Sequence, residues 1–451
     1  MPFLFFSFQK KSPKRFLKKK GFVISFFSAL IFLLSPYQTE DVLWVAISLR
    51  WLLNSLALFA AFYVFILHLE KPSNKKLLLI HFLFLLGLFS NETALIFPIL
   101  CIVLFLLYNK FLKTNYKGKL FLPKLIFPQL IFIVVYFFIS KILSGQWIWH
   151  GPAGFVAQSS DFIQNILKYF AKFFLFYRYF VNDTTDEALR NFSQNGTAAM
   201  FLFLLVLAFV AFFLWRRSRS KKEEGYFLSA VFACFFISLL PSLPLDTSFL
   251  KWIYPDRYGY IPSFFFYLFV VSAICFLFKK VSFPFLAGYS ILCWALLMKT
   301  ILIWNAANEH CNMLIENYKP YLKYDRVYVL NVPAYYKGVA AFRSAFRAAI
   351  YFKQDKSPVE KIRVISGCYQ ESNYDSLVSV SLTAKNIEVS AVKKPSPYFS
   401  TDGGWAKSYE TDEYKVDFDP TGCSYVLTFK KEIPLNSAFI YSVGDTWKKV
   451  D

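Results

Sequence analysis

Nine apolar runs dominate the first two thirds of the chain: Gly21–Leu34, Trp51–Leu69, Leu77–Ser90, Ala94–Tyr108, Leu125–Leu143, Ala198–Trp215, Tyr226–Leu240, Ile261–Phe278 and Phe283–Ile303. A bilayer core requires roughly 17–25 apolar residues per helix, so most of these runs predict membrane spans, while the shortest, such as Gly21–Leu34, fall below that length. Leu77–Tyr108 is interrupted by Asn91-Glu92-Thr93. A polar triplet is expensive at mid-membrane, so two helices joined by a tight turn are predicted instead of one long helix. Asp161–Val181 repeats Lys168, Lys172 and Arg178 along an otherwise apolar stretch. That spacing predicts an amphipathic helix lying in the interface rather than a tenth span. From about Ala306 the pattern becomes that of a soluble domain. Arg326–Val332, Lys361–Ile365, Leu377–Leu382, Tyr414–Phe418 and Tyr425–Lys430 predict strands, and Val339–Phe352 predicts a helix. The expected fold is therefore a polytopic α-helical membrane protein of about nine transmembrane helices (1–304) with a small C-terminal α+β domain (305–451).

Composition strengthens this picture. Over 451 residues, 56% are apolar and 56 are Phe, yet the formal net charge is +21. Residues 1–304 hold 31 basic and 12 acidic side chains, and residues 305–451 hold 19 and 17. The basic excess thus belongs to the greasy half, which excludes a water-soluble nucleic-acid binder. Lys and Arg near helix ends are retained in the cytoplasm. Alternate connections (1–20, 70–76, 109–124, 216–225 and 279–282) carry 22 of them, and the intervening ones carry seven, leaving aside Lys141 and Lys299. The N-terminus is accordingly expected inside and the C-terminal domain outside. Nine of the 12 acids then fall on the outer side, where carboxylate chemistry is expected. The run after Met1–Lys20 ends at Ser35-Pro36-Tyr37 without a small-x-small site, so the first segment is expected to stay in the membrane.

Of seven cysteines, Cys101, Cys234, Cys275 and Cys293 sit in apolar runs where a thiol behaves as a small hydrophobe. Among Cys311, Cys368 and Cys423, a Cys368–Cys423 bridge is expected if the domain faces an oxidising compartment.

Three constellations carry candidate chemistry. Ser35–Asp41 places Glu40 and Asp41 at the outer end of a membrane helix, with Arg50 opening the next. The carboxylates could accept a proton and the Arg could anchor a phosphate; a polar turn with a helix-starting acid is the alternative. Ser90-Asn91-Glu92-Thr93 offers Glu92 at a short outer turn, equally at home as a solvated loop residue. Tyr254–Ser263 sets Asp256-Arg257 among three Tyr, including Tyr258, immediately before a membrane helix. This suits holding a phosphate and stacking a sugar, and also suits an aromatic belt. The four His (His68, His81, His150, His310) form no ligand spacing, and phosphate-loop, dinucleotide and nucleophile-elbow motifs are missing from the sequence.

Together the three motifs resemble the GT-C superfamily of polyprenyl-phosphate-sugar-dependent glycosyltransferases, especially the protein O-mannosyltransferase-like proteins and their tetratricopeptide-bearing relatives. The similarity rests on Pro36-x-Gln38-x-Glu40-x-Val42-x-Trp44 with Arg50-x-x-Leu53-Asn54, on Ser90-Asn91-Glu92-Thr93-Ala94-Leu95 with Pro98, and on Arg257-Tyr258-x-Tyr260-x-Pro262-Ser263. It covers roughly residues 20–280. The resemblance implies inverting transfer of a sugar from a polyprenyl-phosphate donor to a protein or glycan acceptor at the outer face of a bacterial cytoplasmic membrane. No cofactor is implied, and the partners are membrane lipid, the lipid-linked sugar and the acceptor, with no nucleic acid. It further implies Arg50 and Arg257 as phosphate-side contacts, with Glu40 and Glu92 shaping the cavity; Asp256 and Tyr258 of the third constellation are further candidates for substrate binding. The family's catalytic aspartate lies in an outer loop preceding the segment that matches Gly21–Leu34. Here only Met1–Lys20 precedes it, so the chain is expected to be N-terminally truncated and to lack its general base, leaving Glu40 and Asp41 as substitutes. Asn91 stands where relatives often carry Lys.

Two other readings remain open. A lipid-linked polysaccharide polymerase or ligase should carry a large outer loop rich in Arg and His, whereas Ser144–Thr197 offers only His150, Arg178 and Arg190 apart from its lysines. A non-catalytic membrane protein with a partner-binding outer domain is the second. A transporter is disfavoured, since ionisable residues are nearly missing from the middles of these runs.

Overall fold

The computed structural model describes residues 15–43, 45–112, 122–145, 147, 159–180, 201, 204–205, 210–214, 216, 219, 221–243, 256–278, 281–343, 345–354, 359–370, 378–382, 386–392, 399–400 and 408–450. The expected span Ala198–Trp215 and the Asp41 side chain lie largely or wholly outside them. The structure is mostly helical, 67%, with a sheet-rich C-terminal region. It divides into two compact units, one of residues up to 251 with 255–298, the other of 252–254 with 299–451.

In the first unit, helices α1 (Arg15–Leu34), α2 (Thr39–Leu43), α3 (Val45–Glu70), α4 (Asn74–Ser90), α5 (Phe97–Leu112) and α6 (Phe127–Ser144) come first. They are followed by α7 (Ser159–Leu175), α8 (Tyr177–Phe180), α9 (Lys222–Leu239), α10 (Tyr260–Leu277) and the start of α11 (Ser282–Glu316). Among the described residues four stretches are long and apolar enough to cross a membrane: Leu49–Glu70, Pro123–Ser144, Asp256–Leu277 and Ser282–Tyr321. Gly21–Leu34 and Glu92–Leu107 are shorter apolar helices. On α6, Phe127, Leu130, Val134, Phe138 and Ile142 are all exposed. A contiguous apolar surface of that size is unfavourable in water and natural against lipid.

The polar triplet does end a helix. Asn91 is extended and its side chain accepts from the Thr93 N–H at 2.9 Å, capping a 3-10 turn, Glu92–Ile96, that leads into α5. Helices α3 and α4 form an antiparallel hairpin whose turn is tied by Lys76, which donates to the carbonyls of Leu67 and Lys71. Phenylalanine fills the interior. Phe170, Phe173, Phe232, Phe235 and Phe266 make edge-on and tilted contacts with centroids 5.3–6.5 Å apart, the separation aromatic quadrupoles favour.

The second unit holds the end of α11, helix α12 (Phe346–Lys353) and thirteen described strands. Strands β1 (Arg326–Val329), β4 (Ile362–Val364), β12 (Ser437–Val443) and β13 (Thr446–Lys449) form a mixed sheet in the order β13-β12-β1-β4. A five-stranded antiparallel sheet runs β6-β7-β11-β10-β9 through Val378–Leu382, Asn386–Ala391, Ser424–Phe429, Tyr414–Phe418 and Ser408–Glu410. Its alternation turns Ile387, Val389, Leu427 and Val416 into the core. A small sheet, β3-β2-β5-β8, joins Val339–Ala340, Val332–Tyr336, Gly367–Gln370 and Phe399–Ser400.

Two expectations are corrected here. Val339–Phe352 is not one helix: Lys337 and Gly338 both have positive φ (49° and 78°), so the chain turns back at once and Val339–Ala340 pairs with β2. The helix starts only at Phe346, after Arg343, which also lies at positive φ. No disulfide joins Cys368 to Cys423. Both are buried thiols, and Cys423 Sγ turns to the Thr421 carbonyl of its own turn, 3.8 Å away.

Candidate functional site

The segment between α1 and α3 is polar in sequence yet buried. Ser35, Gln38, Thr39 and Glu40 are all at most 5% exposed. Their polar atoms therefore need partners, and α10 supplies them for Ser35 and Gln38. Ser263 and Tyr267, four residues apart on one helical face, meet Gln38 Nε2 (to Ser263 Oγ, 2.8 Å) and Ser35 Oγ (to Tyr267 OH, 2.8 Å). Pro262 sits in the first turn of α10, where a missing N–H costs nothing.

One turn further on, Glu40 meets the third motif. Its Oε2 accepts from the Arg257 backbone N–H at 2.8 Å, and its Oε1 accepts from Arg257 Nη1 at 2.5 Å. Arg257 Nη2 donates to the Tyr258 hydroxyl at 2.9 Å, with the guanidinium 4.5 Å from the Tyr258 ring centroid. Burial raises the Glu40 pKa, and the facing Arg257 opposes that shift. With both oxygens taken, Glu40 acts as a clasp between Ser35–Asp41 and Asp256–Gly259 and is poorly suited to abstract a proton. Glu40 does stand at the start of a helix, Thr39–Leu43, as the polar-turn alternative has it, but it is buried and paired there.

Asp256, beside Arg257 in the same 3-10 turn, is buried and points the other way. It accepts from Lys172 Nζ at 3.2 Å and from Arg178 Nη2 in a short contact. These two cations come from α7 and α8, the stretch expected to lie in the interface with its charges in water. That expectation is corrected for Lys172 and Arg178, whose side chains are 2% and 5% exposed. The spacing explains it: Asn165, Ile166, Tyr169, Lys172 and Phe173 follow a helical stripe and are all buried, so Lys172 belongs to the apolar face. Desolvation lowers the Lys172 pKa, and Asp256 counteracts it. The turn reaches α7 because residue 259 is Gly; a Cβ there would stand 2.7 Å from Phe173 Cζ.

Of the remaining predicted residues, Arg50 lies on α3 and Glu92 in the 3-10 turn that follows α4. Arg50 is exposed, and among the described residues it makes no ion pair. Trp51 packs edge-on against Tyr258 at 5.7 Å, and Asn54 Nδ2 donates to Thr93 Oγ1 at 2.6 Å, linking the first motif to the second. Glu92 is half-buried and accepts from Tyr136 OH at 3.3 Å. The sequence pointed to Glu40, Arg50, Glu92, Asp256, Arg257 and Tyr258; it did not point to Tyr136, nor to Lys172 and Arg178 as partners of Asp256. A Lys on the apolar stripe of an amphipathic helix was the available signal.

The result is one buried centre in the first unit with three cations (Lys172, Arg178, Arg257) and two carboxylates (Glu40, Asp256), bordered by Tyr37, Tyr169, Tyr258 and Trp51. Such an arrangement can hold an anion and present aromatic faces beside it. Comparison with protein-family models, characterised proteins and solved structures finds no match to this chain.

Proposed function

We propose that this chain is a multi-pass membrane glycosyltransferase of GT-C type, moving a sugar from a polyprenyl-phosphate donor to an acceptor at the outer face of a cytoplasmic membrane. The observation that carries the proposal is the buried Glu40–Arg257 ion pair, which joins two motifs 217 residues apart. In the same unit Asn54 and Thr93 tie in the middle motif. Three weak sequence signals joined by these contacts fit a common substrate better than three independent structural roles.

In the reaction, the acceptor hydroxyl oxygen attacks the anomeric carbon. The carbon–oxygen bond to the phosphate breaks, polyprenyl phosphate leaves, and the hydroxyl proton passes to a base. Fixed cations stabilise the charge that grows on the departing phosphate; Arg257 and the exposed Arg50 serve there. Trp51 and Tyr258 provide the wall for the sugar ring. Glu40 holds Arg257, which leaves Asp41 as the base candidate within this segment. The proposed topology has about nine spans, the N-terminus inside and the C-terminal domain outside, following the 22 basic residues of alternate connections.

The test is transfer in proteoliposomes from a panel of polyprenyl-phosphate hexoses to peptide and glycan acceptors. Wild-type protein is expected to transfer, Arg257→Ala to lose transfer, and Arg257→Lys to retain a small fraction if the charge matters more than the fork. Wild-type protein inert with every donor, or full activity in folded Arg257→Ala, overturns the proposal; inert wild type returns the chain to the partner-binding reading.

A further inference from the structure

The charged centre is unbalanced in two ways that the glycosyltransferase reading does not require. First, among the described residues its buried members are three cations, Lys172, Arg178 and Arg257, and two carboxylates, Glu40 and Asp256. An unneutralised buried charge is costly, and proteins pair it or leave it for a ligand. Second, Arg178 is 95% buried by side chain, yet among the described residues only its Nη2 is engaged, and Nε and Nη1 have no hydrogen-bond partner there. The guanidinium lies 4.8 Å from the Tyr37 ring centroid, and the buried Tyr37 hydroxyl also has no partner among the described residues. Polar groups without partners in a buried place are costly, so their clustering beside Asp256 calls for an explanation.

Resting on the reading of this unit as a lipid-phosphate enzyme, we infer that Arg178 is an anion ligand of the centre, held by Asp256 and stacked on Tyr37 so that Nε and Nη1 bind a phosphoryl oxygen. Lys172 is its positioning partner: it shares Asp256 and so helps hold in place the carboxylate that orients the guanidinium. One phosphoryl monoanion balances the charge of these five described groups. Arg178 sits two residues after Phe176, which joins α7 to α8 at φ 47°. The kink turns residue 178 back onto Asp256 and the first motif, where a continuous helix would carry it away. The shared chemistry is a phosphoryl group, which a lipid carrier or free phosphate could bring.

The experiment measures binding to the full chain in nanodiscs with three probes: farnesyl phosphate, farnesol and inorganic phosphate. Farnesyl phosphate should bind at least tenfold tighter than farnesol, a difference of about 1.4 kcal/mol. Arg178→Gln should erase most of that difference. If Arg178→Gln fails to fold, Arg178→Lys keeps the Asp256 pair while removing the two unpartnered nitrogens, and it should weaken farnesyl phosphate several-fold. Competition by millimolar inorganic phosphate assigns the site to the phosphoryl group itself, and its lack assigns the site to the lipid-borne group. Folded Arg178→Gln, or in its place Arg178→Lys, with wild-type preference for farnesyl phosphate overturns the inference. Transfer activity separates this from the preceding proposal. Arg178-dependent binding without transfer from any donor removes the enzyme and keeps the site. Transfer with unchanged KM in Arg178→Gln removes the site and keeps the enzyme.

Discussion

The Glu40–Arg257 clasp is the joint on which the first and third motifs depend, and its strength can be measured by a double-mutant cycle. Glu40 is 1% and Arg257 7% exposed by side chain, and two bonds run between the residues, one from the backbone N–H and one from Nη1. A hydrogen bond to a charged group is worth about 1.5–3 kcal/mol, and breaking a buried ion pair by removing one partner costs about 3–5 kcal/mol because the other charge is stranded. Glu40→Gln and Arg257→Met should each destabilise the first unit by that amount. The double variant strands no charge at this pair, so its loss should fall well short of the sum. The backbone bond to residue 40 survives in Arg257→Met, so the cycle reports the guanidinium contact alone, about 2–3 kcal/mol of coupling. Reversible unfolding in mixed micelles, followed by tryptophan fluorescence, reads all four corners. Coupling below about 1 kcal/mol, the range of an exposed pair, would refute the buried clasp.

Other consequences are equally concrete. Gly259→Ala must push Phe173 away from the 256–259 turn, costing about 1–3 kcal/mol as an overpacking change; a melting temperature equal to wild type would contradict the close approach. Tyr425→Phe removes the hydroxyl that donates to the Leu330 carbonyl at 2.6 Å and should cost the second unit about 1 kcal/mol in urea unfolding. In the same unit, hydrogen bonds and charge from Arg363 hold the Glu413 pKa below 4.5. A depressed acid stabilises above its unfolded pKa and loses that contribution as pH falls through the folded value. Stability of the wild type should therefore decline below about pH 4.5 more steeply than that of Glu413→Gln; parallel profiles would contradict the assignment.

Much of the fold could be read from the chain because long apolar runs and alternating strands announce themselves by period. The break at Asn91-Glu92-Thr93 was legible for the same reason. The Val339–Phe352 error came from weighting helix-forming Ala and Phe over Lys337-Gly338, a two-residue turn that both positive φ values make decisive. The short strands β3, β5 and β8 owe their existence to partners distant in sequence, which no local pattern reveals. In the site, acids and cations near Glu40 and Arg257 could be noticed, but their pairing could not, because 217 residues separate them. Lys172 and Arg178 looked like solvated charges since a helical stripe shows which residues share a face and not what a buried cation on that face will meet.

The central claim is that a lipid-linked phosphate sits at the centre built by Glu40, Arg257, Asp256 and Arg178. Photocrosslinking puts this to its most direct test: a polyprenyl-phosphate analogue with a diazirine beside the phosphate is added to the full chain in nanodiscs, and labelled peptides are mapped by mass spectrometry. The account predicts label on peptides containing Tyr37, Arg178 or Tyr258, competed by unlabelled polyprenyl phosphate and lost in Arg257→Ala. Label spread along the lipid-facing surface of α6, or confined to the second unit and insensitive to competitor, would contradict it.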